Sequence, residues 1–192
     1  TEDLLKIDLN VELISSKDIE GDEIIVRVAK DRQAVAILSQ DSDFIIYDLP
    51  PKIRYLSVKH LNLDNLWTKC YDRLAFAQQL GLKHIRQLPL FGLLTGNDVL
   101  DRESLKQFHF EISPSQVKKE EFDNYRPRAF DIIKNVARFL RHQKVLNPYA
   151  NPQTILENLP ALMAQVDPTI GEDHRHPKVQ IAAKVIKGFF LM

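Results

Sequence analysis

The chain has 192 residues, of which 44% are hydrophobic and 27% are charged, a composition ordinary for a folded domain with a buried core. Its 26 basic side chains balance 26 acidic ones, which excludes a generally basic nucleic-acid binder but leaves local patches open. No apolar run approaches the roughly 20 residues of a membrane helix, and a single cysteine excludes an internal disulfide and a thiolate cluster.

The sequence starts at Thr1 without a signal-peptide pattern, so we expect an intracellular protein of the nucleus or cytoplasm. Because an intracellular chain normally begins with Met, this one is interpreted as part of something longer. Its core is then completed by another segment or another chain. We expect no association with a membrane.

The first predicted elements form a strand–helix–strand unit. Residues 10–15 have strand character, and residues 18–32 place apolar side chains on one helical face. Residues 34–39 form a short, continuously apolar run, typical of a buried strand in a parallel sheet. The three together predict one right-handed βαβ unit.

Further along, residues 55–58 predict another strand, and residues 64–80 predict a helix that Gly81 terminates. A helix is also expected over residues 84–94. The remainder predicts amphipathic helices over 128–142, 154–166 and 179–190, after a charged, flexible junction at residues 113–126. The chain is therefore expected to have an α/β core over residues 1–112 and a helical extension over residues 113–192.

Five acidic residues are expected to meet at one edge of the sheet. Asp41 and Asp43 follow the predicted buried strand directly, and Glu20 and Asp22 begin the helix before it. Ligands of open α/β sheets collect outside the carboxyl ends of parallel strands, where both acidic pairs are expected. Asp98 follows a helix end at which Gly96 allows a tight turn.

Carboxylates gathered in one crevice repel each other unless a cation or protons neutralise them. A hard divalent ion, Mg²⁺ or Mn²⁺, suits oxygen ligands, and two such ions can clamp a phosphodiester for hydrolysis. The structural alternative is a common Asp-Ser-Asp turn, together with acids that stabilise a helix N-terminus. Taken singly, each acid is more often structural; taken together, they favour a metal-dependent nuclease site.

The acidic motifs resemble a known superfamily. Glu20-x-Asp22, the run from Leu38 to Phe44 and the run from Leu93 to Asp98 are similar to the internal acidic region of flap-endonuclease/XPG-type nucleases. Within that superfamily they most resemble the asteroid branch and its relatives, the constitutive coactivators of PPAR-gamma. The resemblance covers residues 9–142.

The resemblance implies a PIN-like (XPG-I) core, with a parallel sheet flanked by helices and a helical C-terminal part. It implies that Glu20, Asp22 and Asp41 hold a first ion, that Asp43 and Asp98 hold a second, and that DNA or RNA is cleaved. Flap endonucleases have further N-terminal acids and a glycine-rich phosphate grip after the last acid. The region that supplies those acids is not part of this chain. The glycine-rich grip is missing or replaced, because the next glycine after Asp98 is Gly171.

Lys52, Arg54 and Lys59 flank the second predicted strand and are candidates for contacts with phosphate, with a solvated rim as the plainer alternative. The leading hypothesis is a divalent-metal-dependent, structure-sensitive nuclease. The alternative is a nuclease-derived scaffold or coactivator that binds RNA or protein with weak or no catalysis. A structural domain whose acids face water is the third.

Overall fold

A small mixed sheet lies in the first half of the chain. The computed structural model describes residues 11–15, 20–97, 100–113, 122–143, 152–166, 171 and 173–190. The strands are β1 (Ala36–Ser39), β2 (Arg54–Ser57) and β3 (Cys70–Tyr71), in the spatial order β1-β2-β3. β1 and β2 are parallel, and β3 runs antiparallel to β2.

Helices make up most of the remaining regular structure. The α-helices of the described residues are α1 (Gly21–Asp31), α2 (Arg73–Gln79), α3 (Leu88–Thr95), α4 (Lys106–Glu111), α5 (Ala129–His142), α6 (Pro152–Val166) and α7 (Pro177–Phe190). Short 3-10 helices lie at Ser42–Ile45, Val58–His60 and Ile85–Gln87. None of the described helices is both long and apolar enough to span a bilayer.

Helix α3 lies at the centre of the molecule. Every residue from Leu88 to Leu94 is buried, as expected for a helix that is apolar all round. Pro89 is tolerated because the first turn of a helix has no intrahelical partner for a backbone N–H. Helices α5 and α7 both contact α3, so the C-terminal helices complete the hydrophobic core.

The last helix also contacts the chain between β1 and β2. The backbone N–H of Asp48 donates to the carbonyl of Phe189 at 2.9 Å. The Tyr47 ring meets the Phe189 ring edge to face, with 5.0 Å between centroids. One continuous cluster of buried apolar residues results, and it runs from α1 to α7.

The structure confirms a mixed α/β fold, and it does not confirm a PIN-like core. The predicted helices over 18–32, 84–94, 128–142, 154–166 and 179–190 are present, and Gly81 ends α2 with a φ of +67°. Residues 11–15 of the first predicted strand pair with no other strand among the described residues. The predicted βαβ unit is therefore wrong for that part.

Two other expectations are corrected. The helix predicted over residues 64–80 starts only at Arg73, because the side chains of Asn62 and Asn65 accept backbone N–H groups and fold residues 62–67 into a tight turn. Strand β1 is not buried on both faces, since it forms an edge of the sheet and Leu38 is 51% exposed.

The junction predicted at residues 113–126 is packed where it is described. The Phe110 ring of α4 meets the rings of Phe122 and Tyr125 edge to face, at 5.3 Å and 5.2 Å. The Tyr125 hydroxyl donates to the carbonyl of His109 at 3.0 Å. The division of the chain at residues 112 and 113 stays a prediction.

Candidate functional site

Four of the five predicted acids are described, and Asp98 lies outside the described residues. Glu20 immediately precedes α1, and Asp22 lies in its first turn. Asp41 follows β1 and caps the 3-10 helix Ser42–Ile45, since its carboxylate accepts the backbone N–H of Asp43 at 2.9 Å. The same turn is held by a 3.1 Å bond from the Asp41 N–H to the Ser39 hydroxyl.

The start of α1 and the end of β1 bring two of these carboxyls together. Burial raises the pKa of Asp22 above its usual value, and repulsion from Asp41, a hydrogen bond with the Asp41 carboxyl and repulsion from Glu20 raise it further. Protonation of Asp22 relieves part of that repulsion. The local arrangement is therefore a carboxyl pair with a third acid near it.

The buried Tyr47 is close enough to this acidic group to be influenced by its charges. Burial raises the pKa of the Tyr47 hydroxyl, and the charges of Asp22, Glu20, Asp43 and Glu23 raise it further, in that order. The hydroxyl is therefore protonated at neutral pH. Among the described residues, no group of three or more His, Cys, Asp or Glu side chains is placed to hold a metal ion. The Mg²⁺ or Mn²⁺ site, with Asp98, stays a prediction.

The Asp22 carboxyl makes a testable contribution to stability. A carboxyl whose pKa is raised on folding binds its proton more tightly in the folded state. It therefore destabilises the folded state as the pH rises above the pKa of the unfolded state, here near 3.8. We therefore expect the stability of Asp22→Asn, relative to the natural chain, to increase between pH 3.5 and pH 7. Since the group is partly solvated, the increase should be on the order of 0.5 kcal/mol.

Urea unfolding of both proteins at pH 3.5, 5 and 7 measures this difference. Asp31→Asn is the matched control, because Asp31 is exposed at the other end of α1. If the stability of Asp22→Asn relative to the natural chain stays constant or decreases over this pH range, the paired-carboxyl geometry is contradicted.

The three basic residues predicted to contact phosphate do not share one environment. The Lys52 ammonium donates to the Gln33 side chain at 3.0 Å, and Arg54 forms an ion pair with Asp72. Lys59 is exposed in the 3-10 helix Val58–His60. The nucleic-acid contact stays a prediction, and the pairing of Arg54 with a carboxylate weakens its availability for phosphate.

A groove of about 400 Å³ lies between the last two helices. The residues that line it are Leu156, His174, Val179, Gln180, Ala183, Lys184 and Lys187. Its apolar part comes from both helices, and its charged part is entirely basic. Helix α7 carries three lysines and no acidic residue. The amphipathic pattern of residues 179–190 predicted the helix, but the groove depends on how α7 packs against α6.

Comparisons with known proteins identify the relatives of this chain. A profile of the FAM120A-like domain matches residues 80–183, which is more than half of the chain. The constitutive coactivator of peroxisome proliferator-activated receptor gamma from Bos taurus is 31% identical over 141 residues, 73% of this chain and 19% of the relative. The Homo sapiens protein of that name is 30% identical over 142 residues, 73% of this chain and 14% of the relative.

A second type of relative matches a shorter stretch. The constitutive coactivator of PPAR-gamma-like protein 2 from Homo sapiens is 35% identical over 80 residues, 40% of this chain and 7% of the relative. The chain thus spans about a fifth or less of the length of these curated relatives. No solved structure matches the chain.

These matches correct the superfamily assignment. The identification of the chain as a flap-endonuclease/XPG-type, PIN-like nuclease is wrong, because the family that matches is the FAM120A-like domain and the matching relatives are named as coactivators. The description of the chain as a magnesium-dependent hydrolase has no support for the same reason. In the structure Asp41 caps a turn and the acids at the start of α1 are favourably placed for the helix, and a catalytic or metal-binding role for these residues stays a prediction. The chain belongs to the FAM120A-like domain family.

Proposed function

We propose that this chain is a protein-binding domain of a coactivator-type scaffold, and that it binds a receptor of the kind named in its relatives, peroxisome proliferator-activated receptor gamma. The observation that carries the proposal is the basic-rimmed groove between α6 and α7. Its residues lie in or next to the segment that the family profile matches.

The groove fits an amphipathic helix with acidic flanks. Two packed helices form a shallow trough with an apolar floor at Leu156, Val179 and Ala183. Leu156 and Ala183 are half-buried and remain partly accessible, whereas Val179 is buried. An apolar helix face placed in such a trough provides most of the affinity. Lys184 and Lys187 are exposed and form no ion pair with any described residue, so they are available to acidic residues of a partner.

Direct titration of the chain with the purified human receptor tests the proposal. We expect the double variant Lys184→Glu/Lys187→Glu to bind about tenfold more weakly, equivalent to about 1.4 kcal/mol, because two attractive charges become repulsive. The natural chain should bind more weakly as salt rises, and the double variant should lose that dependence. Isothermal titration calorimetry at two ionic strengths measures both effects.

Lys83→Glu is the matched control, since Lys83 is an exposed lysine that does not line the groove. Binding that is equally strong in all three proteins would place the receptor on another surface. No binding by the natural chain would overturn the coactivator function proposed for this domain.

A further inference from the structure

A cavity of about 360 Å³ lies against helix α5 and the segment that leads into it. Five of its lining residues belong to α5, namely Asp131, Lys134, Asn135, Arg138 and Arg141, and the others precede that helix. Three of the five are basic and one is acidic, so this cavity, which we call the α5 pocket, is positive in a chain whose net charge is zero. A concave surface with one sign of charge concentrates ligands of the opposite sign.

The basic side chains of the pocket have no acidic partner among the described residues. Lys134, Arg138 and Arg141 are spaced four and three residues apart, so they project from one face of α5. None of them forms an ion pair with a described residue. The acidic lining residue, Asp131, is engaged by Arg128 at 3.0 Å instead. The three positive charges are therefore available to an anion.

The wall of the pocket holds two polar groups in fixed positions. Asn135 is only 7% exposed, and its side-chain oxygen accepts a bond from the Nη2 of Arg138 at 3.1 Å. The same nitrogen donates to the Ile112 carbonyl at 2.8 Å. These bonds use two of the five N–H groups of the guanidinium. No described residue accepts from the other three or from the Asn135 amide nitrogen, so these donors remain for a ligand.

Arg141 lies against the turn that follows α2. A Cβ atom at Gly81 would come within 2.9 Å of the Arg141 Nη1 and 3.0 Å of its Cδ, so the glycine leaves room for this side chain. Although Arg141 is exposed to solvent, the backbone beneath it restricts its movement. A side chain that is restricted in advance loses less conformational entropy when it binds a ligand.

The donors of the pocket suit a phosphate monoester. Such a group carries a charge of about −1.5 to −2 at neutral pH and has three acceptor oxygens, which three cations and an amide can match. A carboxylate has one charge and two oxygens, so it would leave basic groups of the pocket unmatched. Arginine also binds phosphate through two parallel N–H bonds, which fix its orientation.

An exposed aromatic ring beside the pocket indicates what carries the phosphate. Phe130 is 65% exposed, and the Lys134 ammonium lies 5.6 Å from the centroid of its ring. Phe130 precedes Arg138 by eight residues of α5, which is about 12 Å along the helix axis. An extended peptide covers that distance with about four residues, whereas a bare phosphate contacts only the pocket. The balanced charge of the chain disfavours RNA, an extended polyanion.

We propose that the α5 pocket binds a phosphorylated serine or threonine of a partner protein, with an apolar residue of that partner on Phe130. Because the α5 part of the lining is polar, a short phosphorylated side chain suits it better than phosphotyrosine, whose ring needs apolar surface. The pocket shares no lining residue with the α6–α7 groove. Phosphopeptide binding and receptor binding are therefore expected to fail independently.

Calorimetric titration of the complete chain with a defined peptide tests the proposal. The probe is a nonapeptide with a central phosphoserine, a leucine at each end and alanine elsewhere. We expect the same peptide with serine or glutamate at its centre to bind at least tenfold more weakly. Absence of binding at millimolar phosphopeptide would overturn the proposal. The chain includes residues 114–121, outside the described part, so an occupant supplied by that segment would also appear as absence of binding.

A double variant places the phosphate in the pocket. Lys134→Gln/Arg141→Gln removes two exposed charges, so the thermal midpoint should change little while the phosphopeptide binds at least tenfold more weakly. Lys83→Gln/Arg175→Gln is the matched control, because it removes the same two charges from exposed positions outside the pocket. Equal binding by the natural chain and both variants would contradict the proposed site.

Two further ligands identify the source of the phosphate. Inorganic phosphate should bind at least tenfold more weakly than the phosphopeptide, and equal affinity would show that the peptide contributes nothing. Phe130→Ala should weaken phosphopeptide binding severalfold and leave binding of inorganic phosphate unchanged; an unaffected phosphopeptide would contradict the contact with Phe130. A single-stranded oligouridylate that binds as tightly as the phosphopeptide would overturn the proposal in favour of RNA.

Discussion

Replacement of Arg73 by methionine is expected to lower the free energy of unfolding by about 3 kcal/mol. Arg73 is only 6% exposed at the first position of α2. Its guanidinium donates to two backbone carbonyls of the connection between β1 and β2, at 3.0 Å to Ile45 and 2.7 Å to Leu49. Methionine has a similar apolar stem but no donor, so both carbonyls would lose this bond.

The charge of Arg73 persists despite its burial. Burial lowers the pKa of Arg73 to about 10, and Asp48 opposes this change. The guanidinium is therefore protonated at neutral pH, where a charged donor makes stronger bonds to carbonyls than a neutral one. We expect Arg73→Lys, which retains one charged donor group, to recover part of the loss.

Urea unfolding at pH 7 measures these differences. Arg32→Met is the matched control, because Arg32 is exposed and its pair with Glu12 should contribute at most about 1 kcal/mol. Losses of similar size in Arg73→Met and Arg32→Met would show that the two carbonyl bonds contribute little to stability.

Arg73 also shows where prediction from sequence stops. Amphipathic periodicity located α1, α5, α6 and α7, because each of these helices buries one face and the pattern repeats over several turns. Helix α3 was also predicted, although it is buried on all sides. Nothing in the local sequence indicates that Arg73 is buried. Its partners precede it by 24 and 28 residues, and only the tertiary fold brings them together.

The helix predicted over residues 64–80 was wrong at its start for the opposite reason. There the local side-chain hydrogen bonds of residues 62–67 decided the structure, and they were overlooked. Leu66, Trp67 and the apolar residues after them match a helical period, but Asn62 and Asn65 offer side-chain acceptors to the backbone N–H groups that a helix would use. This turn chemistry prevails over the weak periodicity. The Asn-x-x-Asn spacing was the signal that could have identified the turn.

The acidic residues show how far position and function can be separated in a sequence. Following α1 into β1 suggested that Asp22 and Asp41 would be close, and in the structure the Asp41 carboxyl interacts with that of Asp22 and contributes, after burial, to the raised pKa of Asp22. Their function did not follow from that proximity. A turn cap and a charged helix N-terminus use the same residue types as a metal site. The acidic pattern alone does not separate these two interpretations, and the metal site stays a prediction.

Phe44→Ala is expected to destabilise the chain by about 3–5 kcal/mol. Phe44 is fully buried in the 3-10 helix Ser42–Ile45. Its ring lies 5.9 Å from that of Tyr47 and 6.2 Å from that of Tyr55. The side chain therefore attaches the turn that carries Asp41 to the sheet, and alanine would leave a cavity between the two tyrosines.

The matched control is Phe130→Ala, which removes the same atoms from a side chain that is 65% exposed and should change stability by less than about 1 kcal/mol. The acidic turn adds a sharper test. If Phe44 positions Asp41 against Asp22, the pH-dependent effect of Asp22→Asn should shrink in the Phe44→Ala background, since the two carboxyls would no longer be held together. Additive effects in the double-mutant cycle would mean that the turn holds its position without Phe44.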